Sequence, residues 1–388
     1  MASDSATGLV FLIGGGWDPD HAAAGYGPFL ESAGGNNNGS TTEDRTNYYE
    51  TVPSNALALA LYLDSDRMGY LLPALDSAKL DLQRDVVKNE RRERVDNQPY
   101  GRADEVISAA LFPATHPYSW PVIGSMDDLS AASLDDVKNF FRTYYAPNNA
   151  TLSIAGDFDS DSVKKLVETY FGPIPRGPAI AARPTVPDQR LARDTFLVLE
   201  DRVQLPRLFY AWRTVKAFAP DDAALDVLAY VLAGDKNSRL YKTLVYDRQV
   251  AQDVNAAQQS GRLDGQFGID VTPKPGQSAA LMAQLTNAEI QRVIDAGITP
   301  RELARAQNTI RARFLDRLAS VLGKADQLES YNYVAGTPDY VQQDAERYDR
   351  VTAADVQRVA RTYLAAPRVV LTVVPEGKKD MMVTVGAR

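Results

Sequence analysis

One stretch of this chain occurs twice, and that repetition restricts the fold more than any single motif. SLDDVKNFFRTYYAPNNATLSIAG (residues 133–156) aligns without gaps on TAADVQRVARTYLAAPRVVLTVVP (residues 352–375). Val137 pairs with Val356, Arg142 with Arg361, Tyr144 with Tyr363 and Leu152 with Leu371, each pair 219 positions apart. Residues 130–145 read as a helix with Asp135, Asp136, Lys138 and Arg142 on its wet side, and 150–155 read as a buried strand. A helix and a strand recurring at one spacing predict a duplicated α+β unit. Five prolines between 172 and 189 favour extended backbone there. The expected division is a first domain over 1–175, a proline-rich linker over 176–190 and a second domain over 191–388.

The remaining elements follow from local signals. The first 40 residues are dense in Gly, Asn and Asp, which favour turns. A strand pair is expected beyond them, where Thr, Tyr and Val take over. Ser54 and Asn55 can cap a helix over 56–70, and a long polar helix is expected over 77–97. Beyond the linker, strands are expected at 195–200 and 208–214 and a helix at 221–234.

Composition removes several functional classes. The net charge of −8, from 50 acidic and 42 basic residues, argues against a nucleic-acid binder, which needs a basic face to displace phosphate counterions. With no cysteine, thiolate zinc sites, iron–sulfur clusters and cysteine nucleophiles are excluded. Only His21 and His116 supply imidazole. The apolar run over 8–17 is too short to span a bilayer and lacks the basic flank and cleavage site of a secretory leader. No phosphate-cradling Gly-x-Gly-x-x-Gly and no Gly-x-Ser-x-Gly elbow is present.

Four segments, GGNNNGSTTEDRTNYYETVPSNALALALYLDSDRM (34–68), DVVKNERRERVDNQPYG (85–101), HPYSWPVIGSMDDL (116–129) and YYAPNNATLSIAGD (144–157), resemble the insulinase/pitrilysin metallopeptidase family, to which mitochondrial processing peptidase belongs. AGDKNSRLYKTLVYDRQVAQDV (233–254) is similar to the second domain of the same repeat. The resemblance implies two homologous domains, each a mostly antiparallel sheet with helices packed on one face, together half of a clam-shell that closes on peptides with a second half. It also implies a catalytic zinc held by an inverted His-x-x-Glu-His helix and a distal glutamate.

The chain departs from that pattern. No His-x-x-Glu-His occurs, and the first domain is expected to lack the family's usual first strand and zinc helix. Glu90 matches the distal zinc glutamate. Read alone it is equally a surface residue paired with a Lys or Arg one turn away. Zinc is therefore the family's cofactor, but with the histidine ligands missing it is not expected to bind here. His21, near Asp18 and Asp20, is the one alternative metal group, although a lone His in a Gly/Asp loop is ordinarily solvated. His116 falls in a motif whose family role is structural. The family's substrate-holding Arg and Tyr fall on Val245 and Gln252. The resemblance places Asn38, Gly39 and Ser40 on an edge strand that pairs with substrate backbone; by composition the same run is equally a tight turn before a hairpin.

The resulting expectation is a peptidase-family protein without its own zinc site, acting as a peptide-binding or partner-dependent subunit. Its partners would be a peptide and a second peptidase-like half, with no nucleic acid and no membrane span. The alternative is an active or truncated zinc metalloendopeptidase that cleaves peptides. The protein is expected to be soluble, and the family resemblance allows a periplasmic location although no leader is recognised.

Overall fold

A computed structural model describes residues 27–182, 185–186 and 188–384, together with the paths of two short strands, β1 (Ala2–Ser3) and β2 (Val10–Phe11), which pair antiparallel. His21, Asp18 and Asp20 lie outside the described residues. Further strands are β3 (Asn36–Thr41), β4 (Thr46–Thr51), β5 (Thr195–Asp201), β6 (Arg207–Thr214), β7 (Ala251–Ser260), β8 (Gly265–Pro273) and β9 (Val369–Pro375). The earlier helices are α1 (Gly27–Ser32), α2 (Leu57–Ala74), α3 (Ser77–Arg91), α4 (Ala103–Leu111), α5 (Met126–Ala131), α6 (Leu134–Tyr144) and α7 (Ser160–Phe171). The later ones are α8 (Asp222–Ala233), α9 (Ala279–Ala296), α10 (Pro300–Arg317), α11 (Val321–Ala335), α12 (Val341–Asp349) and α13 (Ala353–Val359). The chain divides into two compact units, one formed by Met1–Arg91, Pro121–Thr185 and Arg317–Ser330, the other by Arg92–Trp120, Val186–Asp316 and Tyr331–Arg388.

The second unit holds a five-stranded sheet in the order β5-β9-β6-β8-β7, antiparallel throughout except for the parallel pair β5–β9. Side chains alternate across it, as the two-residue period of a strand requires. Leu208, Tyr210 and Trp212 of β6 join Phe267, Ile269 and Val271 of β8 under α8, α9 and α13. Phe209 and Ala211 turn the other way, with Val369, Leu371 and Val373 of β9, and α4 packs on them through Ala103, Ile107 and Leu111. Helix α8 is buried over ten of its twelve residues, which explains a sequence (DAALDVLAYVLA) apolar nearly all round.

The first unit has a helical core. Val137, Phe140 and Phe141 of α6 lie on one stripe and meet Leu71, Leu75 and Leu80. Arginines fix the rotation of α3: Arg84 donates to the carbonyls of Leu129 (2.9 Å) and Ala132 (2.7 Å), and buried Arg91 donates to that of Gly124 (2.8 Å). The β3–β4 hairpin supplies the described sheet of this unit apart from β1–β2. The Asn/Gly run that composition allows as a turn is thus a strand, Asn36–Thr41, and the turn falls after it.

The sequence repeat is visible down to its caps. Ser133 caps α6 by accepting from the Asp136 N–H (3.1 Å), and Asp136 accepts from the Ser133 N–H (2.9 Å). Thr352 and Asp355 make the same reciprocal box on α13 (3.1 and 3.0 Å), again 219 positions away. Hydrogen bonds from Ser133 and Thr352 hold both aspartates below the usual carboxylate range. After the helices the copies diverge. Residues 369–375 are strand β9 with Leu371 fully buried, whereas 151–155 form no strand and Leu152 is 45% exposed. The strand expected at 150–155 is therefore not formed. Its counterpart β9 is hydrogen-bonded between β5 and β6, and the described residues of the first unit offer 151–155 no such neighbours.

The twin caps give a first expectation. Ser133→Ala and Thr352→Ala should each lower unfolding free energy by about 1 kcal/mol, since each leaves a helix N–H without its acceptor. Denaturant unfolding of the two variants measures this; a cost near zero at either position would contradict the capping geometry.

Candidate peptide edge and zinc-ligand position

Hairpin register decides what β3 can offer a ligand. The Thr42 N–H donates to the Arg45 carbonyl at 2.9 Å across the turn, so 42 and 45 form a hydrogen-bonded pair. Antiparallel pairs alternate, which makes Ser40–Asn47, Asn38–Tyr49 and Asn36–Thr51 the next hydrogen-bonded pairs. Asn37, Gly39 and Thr41 consequently turn their backbone N–H and C=O groups to the opposite edge. No strand pairs with that edge among the described residues. One of its donors is already covered: the Asn38 Oδ1 accepts from the Gly39 N–H at 2.8 Å.

The three residues expected on this strand take different roles. Ser40 donates to Asn47 Oδ1 (2.5 Å), and Asn47 Nδ2 reaches Asp326 of α11 (3.4 Å), which Arg45 approaches at 3.9 Å. Asn38 covers the edge. Gly39 makes room, because a Cβ there would sit 3.2 Å from the Asn47 carbonyl oxygen and 3.4 Å from the Tyr48 ring. That ring carries the Arg67 guanidinium 3.6 Å above it, and its hydroxyl lies 3.0 Å from that of Tyr145. Burial, with Tyr48 close by, pushes the Tyr145 hydroxyl well up, so it stays protonated as a donor or acceptor. Arg67 is also paired with Asp64. Neither Asn47 nor the Tyr48–Arg67–Tyr145 stack was marked by sequence reasoning; the alternation in TNYYET was the available signal.

Glu90 stands in the last turn of α3 and is half-buried. Leu82 and Val86 precede it at four-residue spacing on the same face, 53% and 49% exposed, opposite the buried Leu80, Val87 and Arg91. Among the described residues, no group of three His, Cys, Asp or Glu side chains is placed to hold a metal ion. A catalytic zinc needs about three protein ligands, so the described donor set around Glu90 does not fit one.

His116 belongs to the second unit and is employed there. It is fully buried; its Nδ1 accepts from the Tyr118 N–H (3.0 Å), and its Nε2 faces Asp264 at 3.6 Å. Arg213 donates to the same Asp264 through Nε at 2.6 Å. Burial pushes the Asp264 carboxyl up, but His116 and Arg213 outweigh it and hold the group below the usual range. This is a packing constellation, matching the structural place expected for the motif. Val245 packs against the core of the second unit and Gln252 is exposed on β7, so neither brings a cation or a phenol.

Gly39→Ala should cost about 1–2 kcal/mol of stability, because its Cβ would press on the Asn47 carbonyl oxygen across the hairpin. Chemical unfolding reads this directly. An unchanged midpoint would mean that the hairpin backbone gives way there without cost.

The family described as Peptidase M16 inactive domain matches residues 131–310. Zinc protease PqqE of Helicobacter pylori is 28% identical over 88% of this chain and 76% of its own length. A probable mitochondrial-processing peptidase subunit beta of Arabidopsis thaliana is 23% identical over 86% of this chain and 64% of its own. Among solved structures, a protease from Helicobacter pylori superposes with a TM-score of 0.81 at 25% identity, covering 90% of this chain and 83% of its own. A peptidase M16 inactive domain from Pseudomonas fluorescens gives 0.78 at 18% identity, covering 89% and 82%. Among the described residues no helix is long and apolar enough to cross a membrane. On sequence and fold together, this chain is similar to the M16 peptidases, the insulinase-type zinc metallopeptidase family, and its sequence carries no His-x-x-Glu-His motif.

Proposed function

We propose that this M16-type chain binds peptides by strand addition at β3 and depends on a second peptidase-like half for any cleavage. The observation that carries the reading is the outward-facing backbone of Asn37 and Gly39, on an edge that no strand pairs with among the described residues. An extended peptide laid along this edge would exchange main-chain hydrogen bonds with those two residues, leaving its side chains to set specificity. Asn38 regulates access, since its side chain occupies the donor a peptide carbonyl would use. The need for a partner rests on what this chain does not bring. Glu90 is the one ligand of the family's zinc set that the sequence keeps, and Val245 and Gln252 replace the substrate-holding Arg and Tyr. Zinc, if supplied by a partner's site, would polarise the scissile carbonyl and activate water there. The contribution of this chain is to hold the peptide extended.

A second reading, a zinc endopeptidase in its own right, is favoured by Glu90 and by relatives named zinc proteases. Zinc content measured beside cleavage of a quenched fluorescent peptide, with and without chelator, separates the two. The proposal expects substoichiometric zinc, peptide binding without turnover, and no effect of Glu90→Gln on either. Near-stoichiometric zinc with chelator-sensitive cleavage that Glu90→Gln abolishes would establish the second reading instead.

The edge itself is tested by fluorescence anisotropy of an extended peptide. Asn37→Pro removes one outward N–H without touching the β4 ladder and should weaken binding about tenfold. Asn38→Ala uncovers the Gly39 N–H and should tighten it about fivefold, the worth of a hydrogen bond of roughly 1 kcal/mol. Unchanged affinity in both would remove β3 as the site.

A further inference from the structure

The second unit contains a polar cluster that the peptide reading does not use. Three aspartates converge on one guanidinium where α12 meets α8. Arg347 of α12 donates to Asp344 through Nε (2.9 Å) and a terminal nitrogen (2.7 Å), and to Asp222 through its other terminal nitrogen (2.9 Å). Tyr331 of α11 donates to Asp344 (2.7 Å), and Asp222 also accepts from the Phe218 N–H (2.9 Å) and from the Ser260 hydroxyl. Arg347 lies over the Phe218 and Tyr348 rings at 4.6 and 5.1 Å. The guanidinium is thus spent on two carboxylates.

Asp226, one turn along α8 from Asp222, is the third. It accepts from a neutral donor, the Tyr348 hydroxyl, at 2.6 Å. The groups facing it are Asp222 on its own helix and Asp344, Arg347 and Tyr348 on α12. Other charges near α8 are engaged elsewhere. Arg358 of α13 and Tyr363 bond Asp221, just before the helix, and Ser260 of β7 bonds Asp222.

We propose that α12 is docked on α8 in a proton-linked way, with Asp226 held as a neutral carboxylic acid in the docked state. With Oδ2 accepting from Tyr348, the proton resides on Oδ1. Ionisation would put a third negative charge beside a single guanidinium already bonded to two carboxylates. In line with this geometry, burial first and Asp222 second push the Asp226 carboxyl up to about 7. The sign follows from linkage. Undocked, Asp226 titrates in the ordinary carboxylate range, so docking binds a proton between about pH 4 and pH 7. The added hold is fully present below that window, is lost as pH rises through it, and changes no further above it. Within the window the docking equilibrium should shift by up to about tenfold per pH unit.

Two measurements on the full chain test this. Asp226→Asn keeps the shape and fixes the neutral form, so thermal unfolding of variant and unaltered protein is compared from pH 5 to pH 8. The variant should gain on the unaltered protein as pH rises, levelling off above about pH 7; a difference constant across the range would overturn the proposal. Amide exchange of the unaltered protein supplies an answer that does not depend on the variant folding. After correction for intrinsic rates, protection of residues 341–349 should fall with pH relative to that of α9. If α12 and α9 keep one ratio from pH 5 to pH 8, the linkage is refuted.

Discussion

Backbone pairing around β9 is the constraint on which the rest of this architecture depends. A strand of six buried residues cannot leave N–H and C=O groups without partners, because each unpaired group in a dry interior costs on the order of 1–3 kcal/mol. In the second unit β9 is satisfied from both sides, parallel to β5 and antiparallel to β6. That ladder sets the alternation of β6 and so sends Tyr210 and Trp212 to one face and Phe209 and Ala211 to the other. The helices α8, α9 and α13 then cover the first face, and α4 covers part of the second. The same residue pattern in the first unit, without two neighbours, stays irregular and leaves its leucine in solvent.

The contrast between the copies separates what sequence specifies locally from what it specifies only through tertiary contacts. Capping boxes, the Val137/Val356 stripe and the helix lengths are local: Ser or Thr followed three residues later by Asp writes them directly. Strand identity is not. VVLTVV, with four valines, is the stronger strand former, but ATLSIA reads as a strand too, and it also lacks the neighbours that make VVLTVV a ladder. This is why the α+β class and the duplicated helices were legible, whereas the strand at 150–155 was not. The hairpin misled in the opposite direction. Asn and Gly argue for a turn, yet Asn36–Thr41 is a strand because the opposite strand, TNYYET, supplies the bulky residues and Gly39 yields space to Tyr48.

The candidate site divides along the same line. That Glu90 lies on a helix and that Asn38, Gly39 and Ser40 lie on a strand could be carried over from family resemblance, one residue at a time. What each residue does could not. Ser40 binds across the hairpin to Asn47, Asn38 bonds the amide of its own neighbour, and only Gly39 of the three turns its main chain outward. These roles follow from hydrogen-bond alternation, which a single bond across the turn fixes, and such a bond has no signature in a residue list. Buried charge was equally silent: Asp222, Asp226, Asp344 and Arg347 are scattered over more than a hundred positions and read as ordinary solvated residues until α12 folds onto α8.

Absence of a His-x-x-Glu-His motif and presence of the scaffold are physically compatible because they draw on different residues. A zinc ligand adds little to an apolar core, and no core cluster of either unit includes Glu90 or calls for an imidazole from a metal motif. His116, the histidine that the core does use, is held by the Tyr118 amide and faces an aspartate that Arg213 also binds. Removing that imidazole would leave Asp264 and Arg213 to share a cavity, whereas exchanging Glu90 for a neutral amide alters a half-buried helix end. Selection acting on stability alone would keep the first and be indifferent to the second. Presence of Glu90 is thus no evidence of catalysis by itself, and the edge of β3 consists of backbone groups that persist under almost any substitution.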